Sequence, residues 1–154
     1  MDEIVARSVA KWPNVPAVYG WLSLDRRGRW RIKGETIGNA ALREFIARNY
    51  QPDERGRWFF QNGPQRVFVR LDYTPLVVRY EGERLVDHCG RPFVPGAPFV
   101  DDEGSVLFPG SGTIALLDDR DLMRFSEAPG AAGLPVKARA TLAEAYGFDP
   151  DPRP

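Results

Sequence analysis

Apolar and polar residues alternate most regularly in the stretch from Trp21 to Lys33. One face of this stretch would carry Leu22, Leu24, Trp30 and Ile32, and the other Ser23, Arg29, Arg31 and Lys33. Because successive side chains of an extended strand point to opposite sides, the alternation predicts a β-hairpin with one buried and one basic face. Gly28 supplies the left-handed conformation that a three-residue hairpin loop requires.

The spacing changes to that of a helix after the hairpin. Leu42, Phe45 and Ile46 recur at helical intervals. They predict a short amphipathic helix between Asn39 and Tyr50, with its first residue or Gly38 as the N-cap.

Two further helices are expected at the ends of the chain. Residues 2–11 would form a short helix with Ile4, Val5, Ser8 and Val9 on one side. A last helix would run from about Val136 to Tyr146 and end at Gly147, a residue suited to a helix C-terminus. We expect residues 149–154 to be a disordered tail.

The central region predicts four strands in a meander, over residues 57–61, 66–71, 76–80 and 84–88. Asn62-Gly63 is a strong hairpin signal between the first two. Trp58, Phe59 and Phe60 are apolar without alternation, which favours a strand covered on both faces. Residues 90–98, rich in Gly and Pro, are interpreted as a linker.

A second hairpin–helix unit is expected after this linker. Asp101-x-x-Gly104 repeats Asp25-x-x-Gly28 at an offset of 76 residues, and Val106 then falls on Trp30. Leu122 and Phe125 would belong to its helix, capped by Asp118 or Asp119. We therefore predict an α+β fold: antiparallel sheet with two repeated hairpin–helix units, about eight strands and a C-terminal helix.

The units would divide the chain into residues 1–90 and 91–154, within one compact domain or as two lobes. Cys89 is the only cysteine and His88 the only histidine, so neither an internal disulfide nor a Cys/His zinc site is expected. No apolar run reaches the roughly 20 residues of a membrane span. We expect a soluble, cytoplasmic protein without a cofactor.

The charges are distributed unevenly although the net charge is zero. Residues 1–80 carry 14 basic and 8 acidic residues, whereas residues 81–154 carry 7 and 13. Opposite signs favour either two attracting lobes or complementary surfaces in a homodimer. Zero net charge argues against a nucleic-acid partner. Weak binding of nucleic acid through the basic hairpin remains an alternative.

The sequence signals for catalytic residues are weak. His88 and Cys89 have the side chains of a base and a nucleophile, but neighbours on a strand point to opposite faces. The acidic clusters at residues 101–103 and 118–121 could serve a hydrolase through a divalent cation, although turn and cap chemistry explains them too. The loop at residues 110–113 lacks the lysine of a phosphate-binding loop. No catalytic or metal-ligating residue is predicted.

The better candidates are for binding. Arginine and tryptophan make strong interface contacts, so the basic hairpin face is the first candidate, with Trp21, Arg29 and Arg31 as its main residues and Arg26, Arg27 and Lys33 beside them. Amides and a guanidinium converge in the turn at residues 61–66, which suits a small polar ligand. The predicted binding residues are Trp21, Arg29, Arg31, Gln61, Asn62, Gln65, Arg66 and His88.

The order of motifs from Trp21 to Pro75 resembles that of the bacterial domain of unknown function 1285 family. The residues that carry the resemblance are Gly28-Arg29-Trp30, the run from Gly34 to Gly38, a helix with Leu42 and Phe45, the run from Gly56 to Phe60, Val67-Phe68-Val69 and Tyr73-Thr74-Pro75. The run from Gly112 to Leu117 is similar to the family's second copy of its motif. The resemblance implies two α+β motifs, no established activity and a suggested role in signalling or ligand sensing.

We therefore expect a non-enzymatic binding or regulatory module for a protein partner or a small ligand. The rival hypotheses are a hydrolase that uses the two acidic clusters and a weak nucleic-acid binder.

Overall fold

Two β-sheets and three short α-helices make up the part of the chain that this computed structural model describes, residues 12–154. The strands are β1 Ala17–Leu24, β2 Trp30–Ile32, β3 Glu35–Thr36, β4 Tyr50–Pro52, β5 Trp58–Asn62, β6 Gln65–Leu71, β7 Leu76–Glu81, β8 Arg84–Asp87, β9 Pro92–Phe93, β10 Phe99–Asp101, β11 Val106–Gly110, β12 Thr113–Leu117 and β13 Val136–Lys137. The helices are α1 Ala40–Arg48, α2 Leu122–Ser126 and α3 Leu142–Tyr146, and 3-10 turns at Asp119–Asp121 and Arg139–Thr141 precede the last two. The helix predicted over residues 2–11 lies outside the described residues.

The strand order is β3-β2-β1-β6-β5-β4 in the first sheet and β13-β10-β11-β12-β7-β8-β9 in the second. Most neighbours are antiparallel, as predicted, but β1/β6, β7/β12 and β10/β13 are parallel. The fold is therefore α+β with mixed sheets. Alternation predicts which face of a strand is buried, but it does not determine the direction of a partner that is distant in sequence.

Both sheets arrange six strands in the same order. When the second sheet is taken from its other edge it runs β9-β8-β7-β12-β11-β10, which matches β3-β2-β1-β6-β5-β4 strand for strand. The registers also agree: Phe60 faces Val67 in the first sheet, and Phe108, 48 residues after Phe60, faces Ala115 in the second.

This correspondence differs from the predicted offset of 76 residues. The shared order pairs β2, which begins at Trp30, with β8, and it pairs β11, which begins at Val106, with β5. The predicted alignment therefore superimposes strands that hold different places in their sheets.

The sequence similarity behind that alignment is a shared type of turn. The Asp25 carboxylate accepts hydrogen bonds from the N–H groups two and four residues later at 2.9 and 2.8 Å, and Asp101 does the same at 2.9 and 2.8 Å. Asp53 and Asp87 build the same turn. Because an aspartate can satisfy a turn's own N–H groups anywhere in a fold, the motif indicates a type of turn and does not identify equivalent positions in the two sheets.

The chain passes from the first sheet to the second between β6 and β7, at residues 72–75. The four strands predicted for the meander exist as β5 to β8, but β5/β6 and β7/β8 lie in different sheets. The predicted division after residue 90 falls inside the second sheet, between β8 and β9. The predicted linker itself contains β9, because a Pro and Gly-rich stretch can still form a short edge strand.

The core is one cluster of apolar side chains from both sheets and α1. Leu42 and Ile46 of α1 are buried, and Asn39 caps the helix by accepting a hydrogen bond from the Leu42 N–H at 2.9 Å, as predicted. Trp58, Phe59 and Phe60 are all buried, which confirms that β5 is covered on both faces.

The C-terminal region differs from the prediction. Residues 136–137 form an edge strand, so α3 is shorter than expected; it does end at Gly147, which adopts φ +69°. The tail is ordered: the Leu71 N–H donates to the Pro150 carbonyl and the Asp149 N–H to the Gly56 carbonyl, each at 2.8 Å. The buried side chain of Phe148 anchors it, because apolar burial outweighs the disordering tendency of the surrounding prolines and charges.

Candidate functional site: a pocket between the sheets

The basic turn of the first hairpin contacts acidic residues of the second half. Arg27 Nε lies 2.8 Å from Asp119 Oδ1, and an Arg26 guanidinium nitrogen lies 3.6 Å from Glu103. Arg29 and Arg31 instead pair with the buried Asp25, at 2.7 and 3.2 Å. The predicted basic face is therefore largely neutralised by carboxylates of the same chain.

These side chains line a cleft of about 490 Å³, which we call the charged cleft. Its lining residues are Asp25, Arg26, Arg27, Arg29, Arg31, Asp72, Glu103, Ser105, Leu116, Leu117, Asp119 and Leu122. Although burial works to raise the pKa of Asp25, hydrogen bonds from the Arg29 and Arg27 backbone and the Arg29 side chain hold it below its ordinary value. The carboxylate thus stays ionised and keeps its arginines in place.

The two predicted acidic clusters are committed to turns and ion pairs. Asp101 accepts a hydrogen bond from the Tyr73 hydroxyl at 2.5 Å, in addition to its turn. Asp118 caps the 3-10 turn and pairs with Arg120 at 2.6 Å, and Asp121 pairs with Arg79 at 3.0 Å. In residues 12–154 no group of three or more His, Cys, Asp or Glu side chains has the arrangement of a metal site.

The remaining predicted binding residues lie apart from the charged cleft. Lys33 stacks on the Trp21 ring, with its nitrogen 4.6 Å from the ring centre. In the turn at residues 61–66 the Gln61 amide donates to the Gly63 carbonyl at 2.6 Å, and the Gln65 amide to the Pro13 and Val15 carbonyls at 2.6 and 2.8 Å. The Asn62 amide donates to Gln65 at 3.2 Å, and Arg66 stacks on Phe59. These amides therefore stabilise the turn and the segment that precedes β1 through hydrogen bonds.

His88 and Arg29 meet in a second cavity, of about 620 Å³, where the sheets and α1 come together. We call it the junction pocket. Its lining residues are Gly28, Arg29, Trp30, Thr36, Ile37, Arg43, Glu44, Ala47, Arg48, His88, Cys89 and Gly90. The first sheet and α1 supply one wall and the turn between β8 and β9 supplies the other.

The β8–β9 turn is fixed by its own hydrogen bonds and by α1. Asp87 accepts from the Cys89 and Arg91 N–H groups at 2.8 and 3.0 Å. The Arg91 guanidinium donates to the carbonyls of Ala47 and Tyr50, both at 2.9 Å, and so satisfies the C-terminal end of α1. Gly28 approaches His88 so closely that a Cβ there would lie 2.5 Å from the His88 Cβ.

The His88 imidazole is held in one neutral form. Its Nδ1 accepts a hydrogen bond from the Val77 N–H at 3.2 Å, so the proton of the neutral ring is on Nε2. Burial, and secondarily the positive charge of Arg91, lowers the pKa of His88 to about 3. Nε2 is buried and has no hydrogen-bond partner among the described residues, while the Trp30 and Tyr50 rings pack against the imidazole.

Cys89 does not form a nucleophile–base pair with this histidine. Burial, together with the negative charge of Asp87, raises the pKa of the Cys89 thiol to about 12, so the thiol stays protonated near neutral pH. A neutral imidazole with Nδ1 already bonded and a protonated thiol make a poor catalytic couple.

The rim of the junction pocket carries charges that the sequence did not single out. Arg43, Glu44 and Arg48 lie on the exposed side of α1, and one Arg43 nitrogen donates to the Gly38 carbonyl at 3.0 Å. The available signal was the grouping of these residues on the polar face of a predicted helix. Such a face is ordinarily a solvated one, and only the position of the β8–β9 turn opposite it creates a pocket.

The fold and this pocket define a two-sheet α+β protein with a donor-lined cavity where its sheets meet. Over residues 1–152 the chain matches the DUF2944 family, whose description reads "Protein of unknown function (DUF2946)", and it belongs to that family. Among curated proteins, none matches it.

Two solved structures have a similar fold. The first is a DUF1285 family protein from Silicibacter pomeroyi DSS-3, with a TM-score of 0.55, 18% identity, and coverage of 82% of this chain and 84% of that one. The second is a DUF1285 family protein from Shewanella baltica OS155, with a TM-score of 0.51, 16% identity, and coverage of 68% and 88%. The resemblance to this family is thus confirmed at the level of fold. Among the described residues, no helix has the length and apolar character of a membrane span.

Proposed function

We propose that this protein is a non-enzymatic binding module and that its ligand is a small molecule held in the junction pocket. The observation that carries the proposal is the lining of this cavity, which combines arginine side chains with His88, whose buried Nε2–H has no hydrogen-bond partner among the described residues. An unmade hydrogen bond of a buried group costs about 1–3 kcal/mol, and a ligand acceptor that reached this group would recover it.

The contacts of the basic hairpin support a pocket ligand over a protein docked on that hairpin. Arg26 and Arg27 face acidic residues of the second half, and Arg29 and Arg31 share Asp25. A protein partner on this face would have to replace those ion pairs, whereas a ligand in the junction pocket leaves them intact. The commitment of the acidic clusters to turns and ion pairs similarly supports binding over hydrolysis.

The position of the pocket supports the proposal further. Its walls come from the two connections that the sheets do not share: α1 follows β3 in the first sheet only, and the turn at residues 88–91 is longer than its counterpart at residues 33–34. We also infer that the sheets descend from one duplicated six-strand unit, because strand order and register agree. Binding would then have arisen where the copies diverged.

The test uses His88 as a unique reporter, since the chain has no other histidine. Small-molecule fragments are screened by the NMR signals of the His88 ring. We expect a subset to shift these signals in a saturable way. Ala47→Phe, which fills the pocket, should abolish the shifts, and Ala128→Phe, the same substitution at an exposed position after α2, should leave them unchanged. A full screen without saturable shifts would remove the proposal.

A further inference from the structure

One side of the first sheet carries a row of aromatic rings. In β6, Val67 and Val69 belong to the core, and because side chains alternate along a strand, Phe68 points to the opposite side. The Tyr19 ring of β1 stacks on Phe68 with the ring centres 4.8 Å apart, and the Phe59 ring of β5 lies 5.8 Å from it. We call this side of the sheet, with these three rings and the basic residues around them, the outer face.

The outer face is basic. Arg66 and Arg70 flank Phe68 in β6, and both are exposed. The other charged residues in the strands of this sheet are Arg31 in β2 and Glu35 in the edge strand β3. The strands of the second sheet contain as many acidic as basic residues, namely Arg79, Arg84, Lys137, Glu81, Asp87 and Asp101. The first sheet therefore presents an excess of positive charge that the second sheet lacks.

Three basic residues of the outer face have no ion pair among residues 12–154. They are Lys33, Arg66 and Arg70. Lys33 reaches this face from the turn after β2, and its nitrogen lies 4.6 Å from the centre of the Trp21 ring, which points outward because Leu22 belongs to the core. The paired basic residues are Arg31, which shares Asp25 with Arg29, and Arg57, which pairs with Asp53. Lys33, Arg66 and Arg70 can thus meet an anionic partner without giving up an ion pair to a described residue.

Guanidinium groups cover the inner rings of this face. The guanidinium carbon of Arg66 lies 4.5 Å from the centre of the Phe59 ring, and that of Arg57 lies 4.6 Å from the centre of the Phe68 ring. Both phenylalanines are buried, whereas the Tyr19 ring is partly exposed. Unpaired bases stack on aromatic rings and on guanidinium planes, and Arg and Lys bind the phosphates that link them. The outer face provides both kinds of group.

We propose that the outer face binds single-stranded nucleic acid, with phosphates on Lys33, Arg66 and Arg70 and bases stacked on the Tyr19 ring and the arginine groups beside it. Charge complementarity selects an anionic polymer. The stacking groups favour nucleic acid over an acidic peptide, which has carboxylates but no bases. They also favour a single strand over a duplex, whose bases are stacked on one another.

The zero net charge of the chain does not oppose this partner. Residues 81–154 hold the excess of acidic residues, and the strands of the first sheet all lie before residue 81. The acidic and basic residues are therefore separated between the sheets, and the potential at the outer face depends on its own residues more than on the total. This surface is distinct from the junction pocket, so its partner does not depend on the proposed function.

The experiment measures binding by fluorescence anisotropy of a labelled oligothymidylate of about 20 nucleotides. The comparison probes are the same strand annealed to its oligoadenylate complement, and a labelled oligoglutamate of equal charge. We expect the single strand to bind most tightly. With three phosphate contacts, its affinity should fall about twentyfold between about 50 and about 200 mM salt.

The variants separate charge from stacking. Arg66→Glu and Arg70→Glu should each weaken binding at least tenfold and make the salt dependence shallower. Arg84→Glu, the same substitution at an exposed position of the second sheet, is the matched control and should leave binding nearly unchanged. Tyr19→Leu, which removes a ring without changing the charge, should weaken binding at least fivefold with the same salt dependence. Thermal unfolding checks that each variant is folded, and Arg70→Glu keeps the test decisive if Arg66→Glu loses the cover of Phe59.

Each contrary outcome is specific. No binding of oligothymidylate at about 50 mM salt overturns the proposal. Equal losses in Arg70→Glu and Arg84→Glu also overturn it, because they would reflect the total charge and not this face. If oligoglutamate or the duplex binds as tightly as the single strand, or if Tyr19→Leu binds like the parent protein, the outer face is a surface for anions in general and the assignment to single-stranded nucleic acid is wrong.

Discussion

The two sheets share a strand order and a register but differ in what surrounds them. In the first sheet the connection from β3 to β4 contains α1, whereas in the second the connection from β9 to β10 is only residues 94–98. Conversely, a short turn at residues 33–34 joins β2 to β3, and a longer one at residues 88–91 joins β8 to β9. The common framework consists of strands, and the differences are confined to connections, where insertions cost little stability.

The outward-facing residues differ as well. In the first sheet the rings of Phe59 and Phe68 are covered by the guanidinium groups of Arg66 and Arg57, 4.5 and 4.6 Å from the ring centres. At the matching places of the second sheet are Leu107 and Leu116, which are as buried as these two rings, and every residue of β12 is buried. The two sheets therefore bury matching positions to a similar extent and differ in the side chains there, which are aromatic rings under arginine in the first sheet and leucines in the second.

The largest expected effect is on stability, and it should differ between two glycines that occupy equivalent turns of the two sheets. Gly56 and Gly104 have φ +75° and +85°, but a Cβ at Gly56 would overlap the Gly147 carbonyl, whereas the space at Gly104 is open. We expect Gly56→Ala to lower the free energy of unfolding by about 3 kcal/mol or more, because backbone strain and overpacking add. Gly104→Ala should cost about 1–2 kcal/mol, from strain alone.

Chemical denaturation measures both values. Hydrogen exchange at the amides of Phe148 and Asp149 should rise in Gly56→Ala only. Equal losses in the two variants would show that the docked C-terminal segment does not distinguish the two turns.

The next effect concerns the histidine that only the longer β8–β9 turn provides. Because the folded pKa of His88, about 3, lies below its unfolded value of about 6.5, the unfolded chain binds the proton first as the pH falls. Stability should be greatest above about pH 6.5 and decline below it, by up to about 1.4 kcal/mol per pH unit. Carboxylates with a lowered pKa, such as Asp25 and Asp101, titrate below about pH 4, so they do not contribute to the change in stability between about pH 5 and pH 7.5.

Unfolding midpoints at about pH 5 and about pH 7.5 check this slope. His88→Phe, which keeps a ring but cannot bind a proton, should flatten it even if its stability is lower at both values. A slope that persists in His88→Phe would assign the dependence to other groups.

The smallest expected loss of stability concerns Arg91, which links the β8–β9 turn to the end of α1. Arg91 donates to the Ala47 and Tyr50 carbonyls, so Arg91→Met should lower stability by about 1–2 kcal/mol, chiefly at the end of α1. Arg84→Met in the same sheet is the control, with a change within about 0.5 kcal/mol because Arg84 is exposed. Faster amide exchange confined to the last turn of α1 should accompany Arg91→Met, and unchanged exchange there would contradict the linking role.

Local patterns predicted most elements of this fold. The hairpin of β1 and β2, the capped helix α1 and the strands β5 to β8 depend on alternation, cap chemistry and turn residues that are close in sequence. The predicted offset of 76 residues pairs strands that hold different places in their sheets, because the Asp-x-x-Gly turn occurs four times, at Asp25, Asp53, Asp87 and Asp101. The strand order and register that the two sheets share depend on which strands pair, and a turn motif does not determine that. The C-terminal tail was misjudged because its composition is that of a disordered segment, while its order depends on the distant Gly56.

The candidate site was likewise predictable from the sequence only in part. His88 and Arg29 could be selected from the sequence as residues with binding chemistry, but the sequence could not show that they share a pocket with Arg43, Glu44 and Arg48. It also could not show that Arg26 and Arg27 face Glu103 and Asp119 of the second half, about 80 to 90 residues away. By itself the sequence determined the longer strands, most of the turns and the helix α1, because these depend on the order of neighbouring residues. Only the tertiary structure decided strand direction, the neutral state of His88 and the lining of the junction pocket, because each depends on groups that are distant in sequence and close in space.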